Sequence, residues 1–137
     1  MFQNPDDHTI REILSEPRTI AVVGCSPKPH RDSHSIASML MHRGHRIIPV
    51  NPGHKTILGV TCYPNLRDIP DNVDIVDVFR RSEYIPEIAD QAIAIGAKIL
   101  WCQLGVYNEV AAEKAQAAGL IVLMDRCPAI EYRRLGI

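Results

Sequence analysis

The sequence predicts a three-layer α/β/α domain built around a mainly parallel sheet. Five short apolar runs rich in Ile and Val alternate with segments of helical periodicity. Runs that are apolar at almost every position indicate strands buried on both faces. Strands that alternate with helices form right-handed β-α-β units, which place helices on both sides of the sheet. The predicted arrangement is therefore Rossmann-like.

The predicted strands span residues 19–24, 46–50, 73–79, 98–102 and 120–124. The predicted helices between them span residues 33–43, 82–95 and 108–118. The second of these helices has the clearest apolar face, because its apolar side chains recur at one-turn spacing: Ile85, Ile88, Ala89, Ala92 and Ile93. Glycines follow all three helices, at the position where a left-handed cap favours this residue: Gly44, Gly96 and Gly119.

The remaining segments complete one domain over residues 1–137. A helix over about residues 5–15, capped by Asp6, is expected to pack at the edge of the sheet, and Asn108 is the expected cap of helix 108–118. Residues 53–71 contain a short possible strand around 60–63 and then a turn-rich link. The length of the chain, 137 residues, is sufficient to bury a core of its own.

Composition excludes several classes of function. With 15 basic and 16 acidic residues, the chain has no net field that would attract nucleic acid or an acidic membrane. No apolar stretch approaches the roughly 18 residues of a membrane span, and the polar start is unlike a signal peptide. The four cysteines form no CxxC pair, and the six histidines form no HxxxH pair with a companion acid. We expect a cytoplasmic protein with reduced thiols and no metal.

The first strand leads into a loop that resembles a dinucleotide-binding turn only at its start. This loop, "GCSPKPHRDSHS" over residues 24–35, lacks the second and third glycines of the G-x-G-x-x-G pattern. The second strand ends in "VNPG", without the carboxylate that binds the ribose of NAD. NAD is therefore disfavoured. An NADP-dependent reductase stays an alternative, favoured by the basic residues and opposed by the missing glycines.

Basic and hydroxyl side chains cluster after the first two strands. Ser33 and Ser35 begin the predicted helix, where free amides and the helix dipole favour phosphate. The basic side chains of the two loops are Lys28, His30, Arg31, His54 and Lys55. In a near-neutral chain this convergence predicts an anion site. The alternative is a solvated face whose serines only cap a helix.

Further candidates follow the third and fourth strands. Arg80 and Arg81, next to Phe79, could clamp a phosphate, or one of them could pair with Asp77 or Glu83. Trp101 could belong to a ligand site or to the core. No G-x-S-x-G elbow is present, so no serine hydrolase is predicted, and His42 and His45 are expected on the surface.

Three cysteines directly follow predicted strands and so are expected on one rim of the sheet: Cys25, Cys102 and Cys127. A rim thiol with a lowered pKa would permit mixed-disulfide chemistry. The alternative is that these cysteines are small buried residues.

Four blocks at the strand ends, "VNP", "VFRRSE", "WCQLGV" and "DRCPAIE", together resemble the CoA-binding domain family. These small proteins are similar to the nucleotide-binding domain that begins the alpha subunit of succinyl-CoA synthetase. The resemblance covers residues 19 to about 135. It implies a Rossmann-like fold and coenzyme A as the ligand.

The resemblance also implies site residues. Gly24, Ser26 and Ser33 would line the diphosphate turn, together with Lys28, His30 and Arg31. The other implied contacts are Asn51, Pro52 and Lys55 at the adenosine and its phosphate, Phe79 and Arg80 in the nucleotide groove, Gln103 and Gly105 along the pantetheine, and Cys127 and Pro128 beneath it.

The synthetase subunit carries its phosphorylated histidine in a second domain, which this chain lacks, so no ligase activity is expected. The expected function is non-catalytic binding of CoA or acyl-CoA by a sensor, carrier or regulatory module. Such a module would be a monomer or homodimer and could act on a partner protein. The alternative is a protein that exchanges disulfides with CoA through a cysteine.

Overall fold

A five-stranded parallel sheet forms the centre of the protein. The computed structural model describes all 137 residues. The strands are β1 (Thr19–Val23), β2 (Arg46–Val50), β5 (Ile75–Val78), β6 (Ile99–Cys102) and β7 (Ile121–Leu123), in the order β2-β1-β5-β6-β7. The predicted fold class is thus confirmed, and the observed strands lie within the predicted runs. The chain reverses its direction of strand addition between β1 and β5, which makes their carboxyl ends the switch point of the sheet.

Five helices flank this sheet: α1 (Asp7–Ser15), α2 (Asp32–His42), α3 (Ile85–Ala94), α4 (Glu109–Ala117) and α5 (Pro128–Leu135). Two caps predicted from the sequence are present. The Asp6 carboxylate accepts a hydrogen bond from Thr9 N at 2.9 Å, and the Asn108 side chain accepts one from Ala111 N at 2.9 Å. These side chains satisfy amide donors that the first helical turn leaves free.

The two faces of the sheet bury separate apolar clusters, because neighbouring side chains along each strand point to opposite faces. One cluster joins Val76, Val78 and Leu100 to the alanines of α3 and α4. The other joins Ile20, Val22 and Trp101 to α1, α2 and α5. The N-terminal helix α1 packs against α5 and contributes Ile10, Ile13 and Leu14 to this second cluster.

Helix α5 was not predicted, since the sequence indicated only a rigid turn at Cys127 and Pro128. The short strand predicted around residues 60–63 is present as β4 (Val60–Thr61). It forms a hairpin with β3 (Thr56–Ile57), which was not predicted, and a 3₁₀ turn follows at Leu66–Asp68. None of the five helices is both long and apolar enough to cross a membrane.

Candidate functional site

Three adjoining cavities open at the switch point of the sheet. The loop cavity, about 760 Å³, lies against the segment after β1. The side cavity, about 500 Å³, lies between the ends of β1 and β2 and helix α3. The central cavity, about 700 Å³, lies between the segments after β5 and β6 and the start of α5. The three cavities adjoin one another through lining residues that they share: Gly24, Asp32, Phe79 and Arg80.

Gly24 allows the loop after β1 to pass close to the loop after β5. Its φ is +83°, and a Cβ atom at this position would lie 2.7 Å from the carbonyl oxygen of Phe79. Its amide donates to Val50 O at 2.9 Å. Only glycine combines this conformation with so close an approach.

The loop cavity is lined by the basic loop after β1, at which the sequence predicts an anion site. It is lined by Gly24, Ser26, Lys28, His30, Arg31, Asp32, Ser33 and Phe79. Lys28 and Arg31 form no ion pair with any carboxylate of the protein, so their charges face the cavity uncompensated except by the Asp32 carboxylate. The local charge therefore favours an anion even though the net charge of the chain is −1.

The two serines of this loop hold its shape. Ser33 is 7% exposed, and its hydroxyl accepts a hydrogen bond from Ser26 N at 2.9 Å. The Ser26 hydroxyl in turn accepts one from Lys28 N at 3.1 Å. Helix α2 has no side-chain cap, and the amides of Asp32 and Ser33 in its first turn donate to no group of the protein. Free amides at a helix start are donors for a phosphate group.

The side cavity has a cation at one end and a mixed apolar and polar wall. The Arg80 guanidinium lies over the Tyr84 ring, 4.3 Å from its centre, and forms no ion pair. Asn51 connects two loops, since its Nδ2 donates to Cys25 O at 2.9 Å and its Oδ1 accepts from Gly53 N at 3.0 Å. Pro52, Pro64 and Leu66 supply the apolar surface.

The central cavity is the most apolar of the three, and its walls are held by hydrogen bonds. Its apolar side chains are Ile36, Phe79, Leu104 and Val106, with the Cys127 thiol beside them. Gly105 N donates to the Asp125 carboxylate at 2.7 Å, and Tyr107 N donates to the Ser82 hydroxyl at 2.9 Å. The cavity therefore suits a ligand that is partly apolar and partly polar.

Of the fifteen site residues that the resemblance implies, thirteen line these cavities and two do not. Lys55 is exposed and lies just before the β3–β4 hairpin, where its carbonyl oxygen accepts from Cys62 N at 2.8 Å. Pro128 is buried as the first residue of α5 and lines none of the three cavities. Arg81 lines the central cavity, but its guanidinium pairs with Glu83 at 3.1 Å.

The cysteines differ in their accessibility. Cys25 and Cys102 are fully buried, and burial raises the pKa of each thiol to about 12. Burial also raises the pKa of Cys62. Cys127 is half-buried and lines the central cavity. Of the three rim cysteines named from the sequence, only Cys127 can therefore meet a ligand.

Other open alternatives are decided by the structure. Trp101 belongs to the core, and its Nε1 donates to Arg126 O at 2.9 Å. His45 was expected on the surface but is buried. Tyr132 of helix α5, which was not predicted, lies against it. Asp77 pairs with neither arginine and is bound to Gln103. No group of three His, Cys, Asp or Glu side chains is placed to hold a metal ion.

The family of the chain is shown by sequence comparison. A family model described as a CoA binding domain matches residues 18–133. The chain belongs to this family. The resemblance predicted from the strand-end blocks is thus confirmed.

Relatives of this CoA-binding domain include proteins of the same size. The uncharacterized protein YneT of Bacillus subtilis (strain 168) is 42% identical over 126 residues, which cover 92% of this chain and 93% of that protein. A hypothetical protein from Pyrococcus horikoshii OT3 has a solved structure with a TM-score of 0.92 and 41% identity, covering 100% of this chain and 99% of that one.

The family also includes domains of large ligases. An ADP-forming acetate–CoA ligase of Archaeoglobus fulgidus is 33% identical over 96 residues, which cover 67% of this chain. The same alignment covers only 14% of the ligase. What the two proteins share is one domain, and the ligase activity belongs to a protein about seven times as long as the aligned segment.

Proposed function

We propose that the protein binds coenzyme A, or an acyl-CoA, across the three cavities and does not itself catalyse a reaction. The observation that carries the proposal is that a loop with free amides and unpaired cations adjoins a mostly apolar cavity at the switch point of the sheet. CoA has the matching chemistry, with three phosphates at one end and a long amide-containing arm that ends in a thiol. Membership of the CoA-binding domain family supports the same ligand.

The phosphates are assigned to the loop cavity. The free amides of Asp32 and Ser33 and the unpaired charges of Lys28 and Arg31 provide donors for the diphosphate. The Asp32 carboxylate at the same place would repel an anion, and the cations must outweigh it. Arg80, whose guanidinium is free of carboxylates, can reach either neighbouring cavity.

The two ends of the ligand are assigned to the other cavities. The side cavity, with Asn51 and Pro52 at its rim, would take the adenosine. The central cavity, with Gln103 and Gly105 in its wall and Cys127 at its base, would take the pantetheine arm. A binding module of this kind acts on a partner only if the partner distinguishes its free and bound forms.

The test is calorimetric titration of the reduced protein with CoA, NAD and NADP. We expect saturable binding of CoA, weakened about tenfold by Arg80→Ala through the loss of a charge-assisted contact. Arg133→Ala is the matched control, because Arg133 is an exposed arginine of α5 outside the cavities. Binding of NADP with no heat from CoA would instead support the reductase alternative and overturn the proposal.

A second candidate function is exchange between Cys127 and a CoA disulfide. The observation that favours it is that Cys127 alone among the four cysteines is not buried and lines the central cavity. The Cys127 thiolate would attack one sulfur of a CoA disulfide, forming a protein–CoA mixed disulfide and releasing one CoA as its thiolate. No further oxidant is needed, because the attacked disulfide is itself reduced.

Mass spectrometry tests this second candidate. The protein treated with CoA disulfide should gain one CoA, and a reductant should remove it. Cys127→Ser should abolish the adduct, whereas Cys25→Ser should leave it unchanged because Cys25 is fully buried. An adduct that persists in Cys127→Ser would exclude this chemistry at Cys127.

A further inference from the structure

One buried carboxyl group lies beside the central cavity with half of its hydrogen-bonding capacity unused. Asp77 is 1% exposed and occupies β5 between Val22 of β1 and Trp101 of β6. Its Oδ2 atom is buried without a hydrogen-bond partner, the one such side-chain atom in the protein. A carboxyl group in this position costs free energy of folding, because water is lost from it and not replaced.

The single partner of Asp77 is a residue of the cavity wall. Gln103 Nε2 donates a hydrogen bond to Asp77 Oδ1. Gln103 is only 6% exposed, and what remains exposed of it faces the central cavity. Its Oε1 atom accepts no hydrogen bond from the protein, yet it is not among the buried atoms that lack a partner. The amide oxygen is therefore the end that is open to a ligand.

The two ends of a glutamine amide have opposite roles in hydrogen bonding. When Asp77 Oδ1 accepts from the NH₂ end, the carbonyl end must point away from it, and Oδ1 can accept whether or not the unpartnered Oδ2 carries a proton. An apolar residue in place of Asp77 would leave the amide free to turn over and present a donor to the cavity instead. Asp77 thus determines which end of Gln103 the cavity offers.

We propose that Asp77 is a positioning residue that fixes the Gln103 amide so that its oxygen accepts a hydrogen bond from an N–H or S–H group of the pantetheine arm. This inference rests on the proposed binding of CoA. The Asp77–Gln103 pair, on β5 and at the end of β6, would then favour ligands that carry a hydrogen-bond donor at this point. It also gives the buried carboxyl a role that packing does not, since Leu would fill the same branched volume without the cost of desolvation.

The test compares two ligands in the wild type and four variants. The ligands are CoA and adenosine 3′,5′-bisphosphate, which carries the nucleotide but no pantetheine. We expect Asp77→Leu to raise the Kd for CoA about tenfold, the value of one buried hydrogen bond. The Kd for the bisphosphate should stay within a factor of two. Asp77→Asn should weaken CoA binding less than Asp77→Leu does, because its Oδ1 can still accept from Gln103 although its NH₂ end can also donate to a turned-over amide.

A second variant covers the case in which Asp77→Leu does not fold. Gln103→Met should show the same selective loss for CoA, and the double variant should lose no more than either single one. Wild-type affinity in Asp77→Leu or Gln103→Met would overturn the inference. So would equal weakening of both ligands, which indicates general damage to the site. If the wild type binds neither ligand, the proposed function itself fails, and this result is distinct from the others.

Discussion

His45, just before β2, is hydrogen-bonded to Arg18, just before β1, and to Tyr132 of α5. The donor of each of these two hydrogen bonds can be assigned. Its Nδ1 accepts from the backbone N–H of Arg18 at 3.0 Å, so that nitrogen carries no proton. Its Nε2 therefore donates to the Tyr132 hydroxyl at 2.7 Å, and this hydroxyl donates to Leu14 O at 3.0 Å. Burial, aided by Arg18 and Arg43, lowers the pKa of His45 below 6.5. The folded state thus holds a neutral imidazole.

This arrangement predicts a loss of stability in mild acid. The unfolded chain binds a proton at His45 more readily than the folded one, so the free energy of unfolding falls as pH drops below about 6.5. His45→Asn should be about 1 kcal/mol less stable than wild type at pH 8, and the difference should shrink toward pH 5. Urea unfolding at both values measures it. A difference that does not depend on pH would contradict the prediction.

Asp77 predicts the opposite trend at higher pH. Burial raises its pKa to about 7, against 3.8 in the unfolded chain. The folded state retains this proton between those two values, so stability falls as pH rises from about 4 through 7. Asp77→Asn removes the titration and should gain about 1 to 4 kcal/mol over wild type between pH 5 and pH 8, as measured by urea unfolding. Parallel pH curves for the two proteins would show that Asp77 does not titrate in this range.

Gly24 is expected to be the glycine least tolerant of substitution. Gly24→Ala combines left-handed strain of about 1 to 2 kcal/mol with the contact to the Phe79 carbonyl. Gly119 also has a positive φ, but no atom lies near the added Cβ, so Gly119→Ala introduces the strain alone. Gly53→Ala introduces neither the strain nor a close contact. Free energies of unfolding should therefore fall most for Gly24, less for Gly119 and least for Gly53. Equal losses at Gly24 and Gly119 would mean that the close approach of the two loops has no energetic consequence.

At the scale of elements, the outer strand β7 is completed by a side chain. Asn4 Nδ2 donates to Met124 O at 2.9 Å, and Asn4 Oδ1 accepts from Met124 N at 2.8 Å. These two hydrogen bonds take the place of those that a further strand would form with the backbone at this edge. Phe2, just before it, is buried against the core of the α3–α4 face. The N-terminal segment therefore covers the edge that an open sheet would expose.

Removal of this side chain should destabilise the protein. Asn4→Ala leaves the buried amide and carbonyl of Met124 without partners, at a cost of about 1 to 3 kcal/mol. Gln3→Ala is the matched control, because Gln3 is exposed and its side chain forms no hydrogen bond, so it should change stability by less than about 0.5 kcal/mol. Chemical unfolding of the two variants measures the difference. Equal effects would show that Asn4 adds nothing to the edge.

At the scale of the whole molecule, the proposed ligand should stabilise the fold. CoA at one hundred times its Kd adds about 2.7 kcal/mol to the free energy of unfolding, which corresponds to a rise in Tm of about 10 °C. The rise should shrink with added salt, because the loop cations are exposed and screened. NAD at the same concentration serves as the control. An unchanged Tm with CoA would contradict the proposed binding.

The sequence by itself determined the class of the fold and most of the candidate site. Apolar runs and helical periodicity are local properties, and parallel strands bring their carboxyl ends to one edge whatever the details of packing. For this reason thirteen of the fifteen implied site residues line the cavities. Helix α5 was missed because its first residues, Cys127 and Pro128, suggested only a turn and its apolar positions are few.

Only the tertiary structure decided which candidates are accessible and which are paired. Cys127 is partly exposed, whereas Cys25 and Cys102 are buried. His45, which was expected on the surface, is buried as well. The pairing of Asp77 with Gln103 joins residues 26 positions apart, which no local pattern reveals. Exposure and pairing depend on elements distant in the sequence that cover or approach a residue, and their positions are set only when both faces of the sheet are packed.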